Sequence, residues 1–485
     1  MRITKLAVAF AVLLSATTAH GQMTAGSGAA GIADIEACSG NDPAKAVTAC
    51  TRIIQSRNIG QPDLIAGALR NRGFLYQSRG DLPRAIGDYD AAIKLGQAAT
   101  PAPALARVYV NRGLLRAARG EDALAQADND AAIALDPKVA SAYLNRSALE
   151  MKHGQQDKAL ADLNAAVNLD SRDSAILVSR GAIYVNRGDV DRAIADFTAA
   201  ISVNPADANA WRGRGLAYQR KGDSAHASAD SAEALRLNPN SAGAHLQHAM
   251  ALRASGDPER AIAEFSRAIA MDPGDAAAIK ARGDAYLATG HRDLAIADFS
   301  QAVALEPRFG DAYVNRGAAY LAKADWDHAI TDFGKAIEMN PSQVVAYLDR
   351  GQALTARGDQ DLALADFEAA VRLQPDSAIA YRNRAFLEHA KGDNRRAVVD
   401  YTKALELDRR DEEAWRGRGL SHLDAHDMDA AIADLSQAIA LNGGDALAFH
   451  FRSKAYAAKN DLRRAGADDS EAIRLDPRLA QRASR

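Results

Sequence analysis

Arginine recurs in this chain at Arg112, Arg146, Arg180, Arg214, Arg282, Arg316, Arg350, Arg384, Arg418 and Arg452, a period of 34 residues with one step skipped. An earlier copy, Arg72, is set off by six extra residues in the stretch Gly96–Pro103, and His248 fills the skipped step. A row of guanidiniums at fixed pitch is a candidate binding site for anions, because the planar fork of Arg matches a carboxylate or phosphate. A second row argues against that chemistry. Sixteen residues after each Arg stands an aspartate: Asp88, Asp128, Asp162, Asp196, Asp230, Asp298, Asp332, Asp366, Asp400, Asp434 and Asp468. Where His248 replaces the Arg, the partner position holds Glu264, so both sides change in the same step. The spacing therefore predicts an internal charge pair in each period, not a ladder of ligand-binding cations.

Other residues could also do chemistry. Cys38 and Cys50, the only cysteines, are candidate disulfide partners in an oxidising compartment, or else two small buried residues. His422 and His426 are spaced i, i+4, as are two ligands of a zinc site, but two ligands do not make one. No Gly-rich phosphate loop, Ser–His–Asp arrangement or paired metal motif interrupts the period, so neither catalysis nor a cofactor is expected. The formal net charge of −3 gives no basic excess of the kind that binds nucleic acid.

The elements that must position these residues are helices. Hydrophobic residues make up 48% of the chain and aromatics only 6%, with Ala dominant, which suits closely packed helices better than sheets. A 34-residue period points to stacked supersecondary units. One period carries Tyr313, Gly317, Tyr320, Ala329, Phe333 and Pro341; another carries Trp211, Gly215, Tyr218, Ala227 and Pro239. A matching Ala appears in every period, from Ala85 and Ala125 to Ala431 and Ala465.

This pattern resembles the tetratricopeptide repeat family, in the form of exported bacterial proteins. The resemblance implies an all-α fold, an α-solenoid superhelix of about twelve helix-turn-helix repeats over residues 66–479. Small residues on both helices allow close approach, and large ones fill the gap beside them. Gly at the inter-helix turn (Gly80, Gly120, Gly154, Gly188) supplies a left-handed cap, and the Asp that often follows starts the next helix. In this frame His422 and His426 fall on an aromatic position and a turn-Gly position, which favours packing and capping over metal binding.

The family lines its concave surface with the first helix of each repeat. Positions two before, two after and five after the Arg share a face. They read Val110, Leu114, Ala117, then Leu144, Ala148, Met151, then Val178, Ala182, Val185: an apolar stripe that suits a peptide or partner helix, unless the superhelix covers it. Toward the C-terminus the face is mixed, with Arg382, Phe386 and His389, then Arg416, Leu420 and Leu423. The residue before the Arg is Asn at Asn71, Asn111, Asn145, Asn315 and Asn383. The resemblance implies that such an Asn hydrogen-bonds a peptide main chain; the alternative is an Asn merely tolerated on a solvent-facing helix. The Lys–Asn pairs with which some members grip a C-terminal carboxylate are missing, since Arg70 stands with Phe74 and Lys280 with Asp284.

At the N-terminus, Arg2 and Lys5 precede the apolar run Leu6–Leu14 and the small residues ending Ala19-His20-Gly21. A basic start, a short apolar core and a small-x-small site read as a signal peptide over residues 1–21. Cleavage is expected after Gly21, or else after Ala19, and removes two positive charges, taking the formal charge from −3 to −5. Residues 22–65 read as a linker and degenerate helical hairpin, and 480–485 as a short tail. The expected protein is a periplasmic or secreted scaffold, soluble and not inserted in a membrane after cleavage, whose partners are proteins or peptides. The competing reading is an accessory subunit of a cell-envelope machine, such as one for polysaccharide export or assembly.

Overall fold

The computed structural model describes residues 29–56, 62–96 and 100–481. The expected signal segment 1–21 lies outside them. Among the described residues there are 26 α-helices, a final 3-10 turn at Pro477–Gln481 and no strand, and none of the helices is long and apolar enough to cross a membrane. The chain divides into two compact units, Met1–Gly256 and Asp257–Arg485.

The first unit starts with a short hairpin, Ala29–Cys38 and Pro43–Gln55, in the region expected to hold a degenerate one. Antiparallel pairs of the 34-residue pattern follow, such as Ser174–Asn186 with Val190–Val203, and the unit closes on Ala242–Ala254. The second unit opens on Pro258–Met271 and runs through pairs such as Val344–Arg357 with Gln360–Leu373 to Ala446–Ala458 with Leu462–Leu475. Within each unit every helix packs on the one before and the one after it, which is the α-solenoid arrangement.

Local chemistry sets the helix ends. Asp173 caps its helix by accepting from the backbone N–H of Ala175 at 2.8 Å, and Asp445 accepts from Ala448 at 3.1 Å. At the inter-helix turns the chain enters left-handed space, with φ +78° at Gly188. Three turns do this without glycine, at Ala324, His426 and Asn460, with φ of 60° to 62°. His426 is therefore a turn residue.

The repeated Ala of the second helix is buried throughout, as at Ala159, Ala193 and Ala295. The small residue of the first helix is demanded by what faces it. A Cβ on Gly351 would lie 2.5 Å from Cε1 of Phe367, closer than any carbon pair tolerates, so the ring can be fully seated only because Gly is there.

Candidate ligand-binding face

The arginine row is closed. All eleven Arg–Asp pairs are bidentate, Nε and Nη2 donating to the two carboxylate oxygens at 2.5–3.0 Å. The aspartates are buried. In nine of the eleven the remaining Nη1 reaches the second helix of the preceding pair, as to Asp130 from Arg146 at 2.8 Å and to Ser300 from Arg316 at 3.0 Å. In eight of the eleven the guanidinium also lies over the aromatic ring three residues earlier, as at 4.9 Å from Trp211 for Arg214 and 4.8 Å from Trp415 for Arg418. Each of those nine thus joins the two helices of its own pair to the pair before it, whereas Arg350 and Arg384 join only the two helices of their own. Asp162 holds the Arg146 guanidinium well above its ordinary value, so this cation stays charged. In the skipped period His248 Nδ1 meets Ser231 Oγ at 3.0 Å, and Glu264 forms an ion pair with Arg267 on its own helix.

Two other sequence candidates have simple settings. Cys38 and Cys50 are joined by a disulfide and buried among Ile53, Ala49 and Ala68. His422 lies 3.8 Å from Asp434, beside the Arg418 pair, and among the described residues no group of three or more His, Cys, Asp or Glu is placed to hold a metal.

The apolar stripe of the first unit is closed in part, which corrects the expectation at Val110 and Val185; Ala148 is exposed and the other stripe residues are half-buried. Val110 is 7% exposed, packed with Ala106, Ala132 and Ala142, the last on the next first helix. It is a core residue, unavailable to a ligand. Val185 is buried with Phe197 and Ala217. Leu144 and Met151 pack against the cluster of Leu163, Ile176 and Ile183, and Val178 against Leu177 and Ala200. Leu114 is half-buried. Neighbouring first helices come close enough that the aliphatic side chains between them fill the gap.

The asparagines divide. Asn71 Nδ2 lies 3.4 Å from Ser39 Oγ, and its Oδ1 accepts from Arg70 at 3.3 Å. Asn111 lies beside the Tyr89 hydroxyl, which donates to Gln77 at 2.8 Å and whose ionisation burial pushes far upward. Asn315 Nδ2 donates to Asp284 at 2.6 Å. Asn145 is half-buried. Asn383 differs: its Nδ2 is buried and has no hydrogen-bond acceptor among the described residues. In two periods the position is taken away, because a Cβ on Gly213 or Gly417 would lie 2.3 Å from the ring of Phe197 or Tyr401.

The second unit keeps an open stretch around Asn383. Phe386, on the same helix, is 55% exposed. Arg382 is held by Asp411 and Glu413, each at 3.1 Å, and Arg416 by Asp445 at 2.6 Å, so both expected ligand cations already have partners. Sequence reasoning missed Asp349, which occupies the Asn position one period before Asn383; burial pushes its carboxyl up to about 6. It also missed Val345 and Ile379, exposed at the start of these two first helices. The signal was present in the period, as an acid where Asn recurs and a β-branched residue five before the Arg. Two glutamates went unnoticed too. Glu150 and Glu388 stand four after the Arg, where several periods have Tyr, and each has a buried Oε2 with no partner. Desolvation, with the Asp400 carboxylate next in size, pushes Glu388 up to about 7.

Family profiles described as TPR repeat match residues 181–222, and profiles described as tetratricopeptide repeat match 242–284 and the overlapping stretches 280–344, 319–378, 348–409 and 387–446. No curated protein matches the chain. Among solved structures, the Cut9–Hcn1 hetero-tetramer of the APC/C is 16% identical, covering 89% of this chain and 96% of that one, with a TM-score of 0.44. Yeast Tom70 is 19% identical, covering 87% and 100%, with a TM-score of 0.37. A repeat protein from Parabacteroides merdae is 23% identical, covering 51% and 98%, with a TM-score of 0.40.

Proposed function

Because this chain is a tetratricopeptide repeat protein, we propose that it is a scaffold that holds an extended segment of another polypeptide on the first-helix face of its second unit. One observation carries the reading. Over Val344–Arg357 and Ala378–Ala390 that face presents exposed apolar side chains beside an unpartnered amide, whereas on the corresponding face of the first unit Val110 and Val185 are buried in its own packing. An amide that donates and accepts, next to an apolar ring, suits a peptide main chain with alternating side chains.

A photo-cross-linking residue in place of Phe386 tests the assignment, with Leu362, exposed on a second helix, as the control site. Capture of a polypeptide from position 386 and none from 362 is expected; the reverse places the partner on the other face and overturns the reading.

The same proposal places the protein outside the cytoplasm. The basic and apolar pattern of residues 1–21 supports this, as does the Cys38–Cys50 disulfide, a bond that persists in oxidising compartments. N-terminal sequencing of the mature chain is expected to begin at Gln22. A cytoplasmic pool that retains Met1 would refute export.

A further inference from the structure

Asp349 and Asn383 hold the same position, one residue before the ladder Arg, in consecutive periods of the second unit. Asn383 has a buried Nδ2 without an acceptor. Asp349 is half-buried on its helix, and among the described residues its carboxylate makes neither a hydrogen bond nor an ion pair. The basic groups of this face are matched internally. Lys280 lies 2.9 Å from Asp284, which also takes Asn315; Arg382 is held by Asp411 and Glu413, and Arg416 by Asp445. Arg350 and Arg384, the nearest ladder residues in sequence, give Nε and Nη2 to Asp366 and Asp400. The basic groups of the face therefore leave Asp349 uncompensated.

Around these two polar groups the surface is apolar. Val345, Ile379 and Phe386 are 54%, 49% and 55% exposed and sit on the same two helices. The two helices are tied together beneath by Leu354, Phe367 and Leu387, so the surface rests on a packed base.

We propose that this face selects an extended peptide carrying a basic side chain between apolar ones, with the cation on Asp349, a main-chain carbonyl on Asn383 Nδ2, and apolar side chains against Val345, Ile379 and Phe386. The proposal rests on the peptide-holding function above and adds the chemistry of the peptide. A desolvated carboxylate without a partner is costly, and a bound ammonium or guanidinium relieves that cost where a neutral side chain cannot. An acidic peptide meets repulsion at the same point, so the face discriminates by exclusion as well as by attraction.

The test uses the purified full chain and three fluorescein-labelled octapeptides, Gly-Ala-Val-Lys-Phe-Val-Ala-Gly and its Lys→Gln and Lys→Glu analogues, followed by fluorescence anisotropy. The Lys peptide is expected to bind about tenfold more tightly than the Gln peptide, as one charge-assisted contact implies, with the Glu peptide weakest. Asp349→Asn, which changes the charge and keeps the shape, should bring the Lys and Gln peptides to the same affinity while helix content by circular dichroism stays unchanged. Asn383→Ala should weaken all three alike. Equal binding of the Lys and Gln peptides to the unaltered protein overturns the charge selection; if Phe386→Ala still abolishes both, the peptide-holding function stands without it. Binding that ignores Asp349→Asn, Asn383→Ala and Phe386→Ala together overturns the site itself.

Discussion

Arg180 grips Asp196 by both edges of its carboxylate, Nε 2.8 Å from Oδ2 and Nη2 2.7 Å from Oδ1, across two helices and 16 residues of chain. Asp196 is buried, and the third nitrogen of Arg180 reaches Asn164 of the preceding pair at 3.1 Å. The pair therefore links two repeats as well as two helices. The bidentate pair repeats in each period that carries the Arg, and the link to the preceding pair in all of these but those of Arg350 and Arg384, so its effect on cohesion is distributed along each unit.

Removing one partner leaves the other charged in a desolvated place. Asp196→Ala should cost on the order of 3–5 kcal/mol, whereas Arg180→Met with Asp196→Leu should cost far less, because no orphaned charge remains. Urea unfolding of the two variants decides the matter. An unchanged midpoint for Asp196→Ala would show that the pair contributes nothing.

The left-handed turns without glycine make an opposite prediction. Ala324 holds φ +60°, a conformation that costs an L-residue with a Cβ roughly 1–2 kcal/mol. Ala324→Gly should raise stability by about 1 kcal/mol, less the entropy that Gly loses on folding. Gly188→Ala, at φ +78°, should lower it by a similar amount. Both changes are read as shifts in denaturant midpoint at constant slope.

Glu388 gives the protein a pH dependence of definite sign. Its carboxyl ordinarily titrates at 4.5 and in the fold at about 7, raised first by desolvation and next by Asp400, with Arg384 opposing. The folded state thus holds the proton more tightly than the unfolded one. Below pH 4.5 both states are protonated and the group is neutral to stability; from there to about 7 stability falls as pH rises. Glu388→Gln should remove that component of the slope and stabilise the protein at pH 8. Thermal melts from pH 4 to 8 on both proteins test it.

Reduction should act locally. The Cys38–Cys50 link spans 12 residues, and closing a loop of that size restricts the unfolded chain by about 3 kcal/mol. Dithiothreitol or Cys38→Ser should therefore loosen the hairpin Ala29–Cys38 and Pro43–Gln55 before the rest. Hydrogen exchange should rise there and stay low at Phe333 and Phe367. Uniform loosening of the first unit would show that the hairpin anchors more than itself.

Much of this was legible in the residues alone. The period, the Ala and Gly rows and the Arg–Asp offset specify helix pairs, because each follows from the pitch of a helix and the close approach of two. His426 could be placed in a turn by counting. Val110 and Phe386, by contrast, were assigned to one face by the same count, and they ended apart: Val110 in the core, Phe386 open. Helical spacing says which way a side chain points, and not how far away the neighbouring helix stands or how much volume its side chains fill. The orphaned amide of Asn383 and the unmatched carboxylate of Asp349 were hidden for the same reason, since a polar group is unpaired only relative to neighbours that the fold brings to it. The repeat and its internal pairs were thus written in the sequence, where spacing along the chain suffices. The open stretch of the second unit was decided by tertiary packing, because burial belongs to neighbours distant in sequence.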